Sequence, residues 1–342
     1  MFLKKLVNAE KQASLKISVV GGSNSVMREG YTKYLNNYLR QITCQKTLIK
    51  YYSLGGVPNI FGVIQEARYN IALDSDIIFF EYCINDRHAI ELDSYSLELA
   101  GRSLEGFIRK CQRSNPFCLI VLVIFGVNQE KYYQQSCVLS ELYELIGNHY
   151  YLPVVNLTNL LSEQKGKDFI KSLYSHKDDA HYTRPYGVQI VGQTIIEQLD
   201  KIDIINSLKS NKNYRRNIGI KPIYQDNFEN LAFFENFEQG NFFEHQPKIS
   251  VYQNTVYREK NFSLCGGNSL RFLLKGKLVA IYIKSDLNDG LIEIRFGQQL
   301  IVTSSYSSWV NKIRPQNVIN LITLPLRQFS ATQDFAPVSI AC

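Results

Sequence analysis

The chain has 342 residues, 45% hydrophobic and 20% charged, which is ordinary for a soluble globular protein and enough for two domains with cores of their own. No apolar run approaches the roughly 20 residues a membrane-spanning helix needs. The start, Met1-Phe2-Leu3-Lys4-Lys5-Leu6-Val7-Asn8, carries no long apolar stretch after its lysines, so no signal peptide is read and a cytoplasmic location is expected. The net charge of +7 is a modest basic excess, suited to a solvated surface or to an anionic polymer such as an acidic polysaccharide, and no nucleic-acid motif accompanies it. The seven cysteines form no Cys-x-x-Cys pair and are odd in number, which argues against a disulfide framework or a zinc site and fits a reducing compartment.

In chain order, apolar runs of strand length occur at Lys16–Val20, Leu48–Tyr52, Ile77–Phe80, Phe117–Ile124 and Leu152–Val155. Between them, segments with helical spacing lie near 26–42, 59–72, 94–113, 128–147 and 186–200. Strand–helix alternation predicts a parallel sheet with helices on both faces. Ligands in such sheets bind beyond the carboxyl ends of the strands, and three blocks fall there. Ser23 follows Val19-Val20-Gly21-Gly22, Gly55-Gly56 follows Tyr51-Tyr52-Ser53-Leu54, and Asn85 lies in Glu81-Tyr82-Cys83-Ile84-Asn85-Asp86.

A fourth block, Asp178-Asp179-Ala180-His181, precedes the last helical segment. Read as one helical turn, its spacing puts Asp178 and His181 on one face, with the carboxylate holding one ring nitrogen and the other free to take a proton. Asp179 is the weaker partner. A serine at a helix start, backbone N–H donors, an amide side chain and an Asp–His pair are the parts needed to attack an ester carbonyl. Ser25 is the alternative nucleophile, and either serine could instead cap a helix. The glycine pair reads otherwise as a strand-to-helix turn, and Asn85-Asp86 as a helix cap. His88, His149, His176 and His245 lack such company, though His88 is close to Asn85 in sequence. The sequence holds no His-Glu-x-x-His, no Cys/His cluster and no Walker or dinucleotide fingerprint, so no metal or prosthetic group is expected.

From 201 to 222 the chain turns basic, with Lys209, Lys212, Arg215, Arg216 and Lys221, and this stretch reads as a linker between a domain of residues 1–200 and one of 223–342. The second has short runs at Leu278–Ile283, Leu291–Phe296 and Leu300–Ser304, separated by turn signals that include Asp289-Gly290, and predicts an antiparallel β-sandwich. Its aromatics include Phe233, Phe234, Phe237, Phe242, Phe243, Tyr252, Tyr257 and Trp309. Most are expected in the core, with Trp309 the best candidate for an exposed sugar platform.

In order and setting, the blocks over roughly residues 14–200 resemble those of the SGNH (GDSL-like) hydrolase superfamily. The resemblance implies a flavodoxin-like sheet, Ser23 as nucleophile, His181 and Asp178 as base and orienting acid, and an oxyanion hole from Ser23, Gly56 and Asn85. Gly22 stands where the family has Asp, and Cys83 where its Gly-x-Asn-Asp block has Gly; Asn85, Asp178 and His181 match unchanged. Serine-dependent acyl transfer is the implied chemistry. The basic balance, expected location and added β domain point to an O-acetyltransferase moving acetyl from acetyl-CoA to a polysaccharide. The alternatives are a carbohydrate acetylesterase and a non-catalytic saccharide-binding protein.

Overall fold

The computed structural model describes residues 14–43, 46–92, 95–130, 137–176, 178–201, 219–234, 248–253, 258–264, 267, 269–284, 290–304, 321–325 and 330–341. His245, Phe237, Phe242, Phe243, Tyr257, Trp309, Asp289 and the four basic residues from Lys209 to Arg216 lie outside the described residues. The chain divides into two compact units, Met1–Phe233 and Phe234–Cys342.

The first unit is built on β1 (Leu15–Gly21), β2 (Thr47–Tyr51), β3 (Ile77–Glu81), β4 (Leu119–Ile124) and β5 (Val154–Asn156). They form one sheet in the order β2-β1-β3-β4-β5, with every neighbouring pair parallel. This is the flavodoxin-like strand order. Every residue of β3 and β4 is buried, as strands covered on both faces must be. The alternation of side chains across a strand separates two packing layers. Ile17, Ile77, Phe79, Val121 and Val123 pack with α2 (Tyr31–Thr43), α7 (Leu157–Lys165) and α9 (Tyr186–Lys201). On the other face lie α3 (Ile60–Tyr69), α5 (Leu97–Ser114) and α6 (Val138–His149), where Phe107 of α5 meets Phe80 at a ring-centroid distance of 4.5 Å.

The helical stretch expected near 26–42 is two helices, a four-residue α1 (Ser23–Val26) and then α2, parted by a bend in which Glu29 has φ 57°. Another helix, α4 (Cys83–Glu91), runs through the Asn85 block. It buries Asn85, Asp86 and Arg87 along with Cys83, Ile84 and Ala89, so its inward side carries no apolar stripe for a pattern reading to find. A short α8 (Lys167–Ser172) precedes the two-stranded pair β6 (Tyr174–Ser175) and β7 (Asp178–Tyr182).

Residues 219–233 pack on α5 and belong to the first unit, so its end lies at Phe233 rather than before a linker of 201–222. Gly101 and Gly106 of α5 leave the room: a β-carbon on Gly101 would lie 2.7 Å from Cζ of Tyr224, and one on Gly106 2.6 Å from the backbone nitrogen of Phe228. Buried Glu105 between them accepts the N–H groups of Ile223 and Tyr224, each at 2.7 Å. Arg109 donates to the Ile220 carbonyl at 2.8 Å and pairs with Glu229 at 2.8 Å.

The second unit is antiparallel. Its main sheet has the order β10 (Ser269–Gly276), β15 (Thr332–Ala341), β12 (Leu291–Phe296), β13 (Gln299–Ser304), beside the pairs β8 (Lys248–Gln253) with β9 (Arg258–Ser263) and β11 (Ala280–Lys284) with β14 (Leu321–Pro325). Its core is Ile292, Ile294, Phe296, Val338 and Ile340, against which Leu270, Phe272 and Ile281 pack. β12 and β13 are joined by Gly297-Gln298, with Gly297 at φ 59°, the left-handed backbone a two-residue hairpin needs at that place.

Candidate active site

β1 ends at Gly21, Gly22 forms the N-cap, and Ser23 opens α1. The Ser23 hydroxyl donates to Nε2 of His181 at 2.8 Å, and Nδ1 of His181 meets Oδ2 of Asp178 at 2.7 Å. A carboxylate accepts only, so Nδ1 carries the ring proton and Nε2 is left with its lone pair toward Ser23. Ser25 is elsewhere occupied. It is buried, its hydroxyl donates to Oε2 of Glu81 at 2.9 Å, and the Tyr31 hydroxyl lies 3.0 Å from the Ser25 oxygen.

The Asp178–His181 pair is brought together on a strand, not on the helical turn its spacing suggested. Oδ1 of Asp178 accepts the backbone N–H groups of Ala180 at 3.0 Å and His181 at 3.1 Å. This local turn bends the strand so that the second carboxylate oxygen reaches the ring. The next side chain, Tyr182, points inward and packs edge-on to Phe125 at 5.3 Å. The strand is held from two further sides. Nδ2 of Asn24, the residue after Ser23, donates to the Ala180 carbonyl at 2.9 Å, and the Asn128 N–H donates to the Asp179 carbonyl at 2.7 Å. The Asp179 carboxylate accepts from Gln129 at 2.6 Å, so it is committed away from His181.

The other two blocks close on the same edge. The Leu54 N–H donates to the Gly21 carbonyl at 3.0 Å, which lays the Gly55-Gly56 turn beside the end of β1. Gly56 has φ 75°, where a β-carbon would be strained. The Asn85 carboxamide lies against Gly22, with its Cγ 2.6 Å from where a β-carbon of residue 22 would sit. Cys83 is fully buried, with its sulfur 3.8 Å from the Ser140 hydroxyl, and burial pushes its thiol well up. It is a packing residue.

Two buried carboxyls lie beneath these loops. Burial pushes Glu81 up to about 8, against the hydrogen bond from Ser25. Burial pushes Asp86 up to about 7, against hydrogen bonds from Tyr143 and Asn59. Of the other histidines, His149 contacts the Lys221 carbonyl at 2.9 Å, and His176 is exposed at the turn between β6 and β7. His88 follows Asn85 on α4. Neither Asn24 nor Glu81 stands out in the sequence, and Asp86 does so only as the neighbour of Asn85, because each is defined by partners distant along the chain.

No protein-family model matches the sequence, and no curated protein matches it. Solved structures do. A two-domain esterase described as active on acetylated mannans, crystallised with mannopentaose, aligns over 96% of this chain and 85% of its own at 16% identity, with a TM-score of 0.64. A second structure of that esterase aligns over 96% and 86% at 15% identity, with a TM-score of 0.60. An acetylxylan esterase from Geobacillus stearothermophilus aligns over 56% of this chain and 96% of its own at 14% identity, with a TM-score of 0.44. The protein has the fold of that two-domain esterase, a flavodoxin-like parallel sheet followed by an antiparallel β domain.

Proposed function

We propose that the protein is a carbohydrate acetylesterase that works through Ser23. The observation that carries this reading is the unbroken hydrogen-bond chain from Ser23 through His181 to Asp178. The Ser23 oxygen attacks the acetyl carbonyl as His181 takes its proton, and Asp178 steadies the imidazolium. The Gly56 N–H, the Asn85 amide and the Ser23 N–H stabilise the tetrahedral oxyanion. His181 then protonates the departing sugar oxygen as its bond to the acetyl carbon breaks, which frees the sugar hydroxyl and leaves an acetyl-serine. Water, deprotonated by the same ring, releases acetate and restores the serine. A likeness that spans both units supports an acetylated saccharide as substrate and water as acceptor, in preference to the transfer from acetyl-CoA expected from sequence.

The test supplies acetylated mannan alone, then acetyl-CoA with deacetylated mannan, and follows acetate and free thiol. Acetate should appear in the first mixture without CoA. Ser23→Ala should cut turnover by at least about 10⁴-fold, Ser25→Ala should not, and His181→Ala should lose far more than His176→Ala. Thiol release with acetylation of the glycan, and no acetate from the first mixture, would instead establish the transferase.

A further inference from the structure

Asp86 follows Asn85 on α4 and is fully buried. Its two oxygens reach different elements. Oδ1 accepts the backbone N–H of Asn59 at 2.7 Å, and Oδ2 accepts the Tyr143 hydroxyl at 2.5 Å. Asn59 stands three residues after Gly56, at the start of α3. Its own side chain is fixed on every side: Nδ2 donates to the Ala100 carbonyl at 2.8 Å and toward Tyr143 at 3.3 Å, and Oδ1 accepts from Tyr95 at 2.7 Å. The loop after β2 and the helix after β3 are thus joined through one carboxyl, beneath Gly56 and Asn85.

A buried carboxyl is costly unless its lone pairs are used. Here each oxygen is tied to a separate element, the arrangement that fixes relative position. We infer that Asp86 is a positioning residue, which holds Gly56 and Asn85 at the separation that lets both donate to one oxyanion. The inference rests on the oxyanion role proposed above for those two residues. Donors must meet the oxyanion at hydrogen-bond distance to contribute, and a displacement of about 1 Å is enough to cost on the order of 100-fold in rate.

The experiment uses the full chain with p-nitrophenyl acetate as substrate and methyl trifluoromethyl ketone as inhibitor, since the ketone forms a tetrahedral adduct with the serine. For Asp86→Ala, kcat should fall about 30- to 300-fold with KM within about threefold, and ketone affinity should weaken by a similar factor. Asp86→Asn should recover part of both, because its amide oxygen still accepts from Asn59. Tyr143→Phe should lose about 3- to 10-fold in kcat with a parallel loss of ketone affinity. If Asp86→Ala does not fold, Asp86→Asn and Tyr143→Phe carry the same test. A fall in thermal midpoint with kcat and ketone affinity unchanged would overturn the inference, as would a loss of kcat without a loss of ketone affinity. Ser23→Ala is run alongside. Activity surviving in that variant would refute the serine mechanism itself, whereas an inactive Ser23→Ala beside an unaffected Asp86→Ala would refute only the positioning role.

Discussion

Gly22 and Asn85 compete for one space: a β-carbon on residue 22 would lie 2.6 Å from Cγ of the Asn85 carboxamide. The departure from Gly-Asp-Ser at the first block is therefore matched by the seat of the amide in the third. A side chain at 22 must push Asn85 aside. Gly22→Ala is expected to lower kcat on a small acetyl ester by about 100- to 1000-fold, the range for loss of one oxyanion donor. Gly22→Asp should do no better, although it completes the Gly-Asp-Ser pattern that the first block resembles. Kinetics on folded protein, checked by circular dichroism, decide the matter, and full activity in Gly22→Asp would mean that Asn85 can be reseated.

Asn24 ties the serine turn to the histidine strand. Asn24→Ala removes the bond to the Ala180 carbonyl and should reduce kcat about 10-fold or more with little change in KM. Asn24→Asp should be worse, since a carboxylate cannot donate and would face that carbonyl's oxygen. Labelling of Ser23 by a serine-directed phosphonate should slow in the same order. Equal labelling rates in all three proteins would remove the coupling.

Glu81 makes stability depend on pH. Burial holds its carboxyl up at about 8, while an unfolded glutamate titrates near 4.3. Between those values the native protein binds more protons than the unfolded chain, so stability is full at low pH and declines as pH rises toward 8. Asp86, pushed up to about 7, adds to the same trend. Urea midpoints should drop from pH 5 to pH 8, and Glu81→Gln should flatten part of that slope. A wild-type midpoint that rises over this interval would contradict the assignment.

The segment on α5 gives a stability test with an unusual sign. Alanine is favoured over glycine within a helix by about 1 kcal/mol, yet Gly106→Ala would press on the Phe228 backbone. Overpacking of this kind costs about 1–3 kcal/mol, so a net loss is expected in urea unfolding. Stabilisation by Gly106→Ala would show that the segment yields freely.

Chain length tests the same contacts. A chain ending at Phe233 should keep small-ester activity. One ending near 205 should unfold more readily, because Glu105 and Arg109 lose the partners that 219–233 supply. If the β domain helps to hold a polymer, the chain ending at Phe233 should show a raised KM on acetylated mannan alone. Equal KM values for polymer in the full chain and the chain ending at Phe233 would remove that role.

The sheet and the first three blocks are legible in sequence because each strand is a short, largely apolar run and each of these blocks sits at such a run's end. α4 is not, since half of the residues it buries are Asn85, Asp86 and Arg87. The geometry of Asp178 and His181 is not either. A three-residue spacing suits a helical turn and a strand bent by an Asp side chain equally well, and only the hydrogen bonds from Ala180 and His181 to Asp178 separate them. The end of the first unit escapes a composition reading for another reason. The chain turns basic after 201, but Tyr224 and Phe228 are isolated rings, with no periodicity to show that they pack on two glycines.

Ser23 and His181 are separated by 158 positions, so the hydroxyl is synthesised well before its base, which lies toward the close of the first unit. A nascent chain that has not yet delivered β7 holds a serine with no proton acceptor. Under the proposed mechanism, ester cleavage therefore requires that the His181 strand has docked, the contact that Asn24 helps to hold. Recovery of ester cleavage during refolding would time the last closure of the unit, whereas the far-ultraviolet signal of the helices would time its beginning.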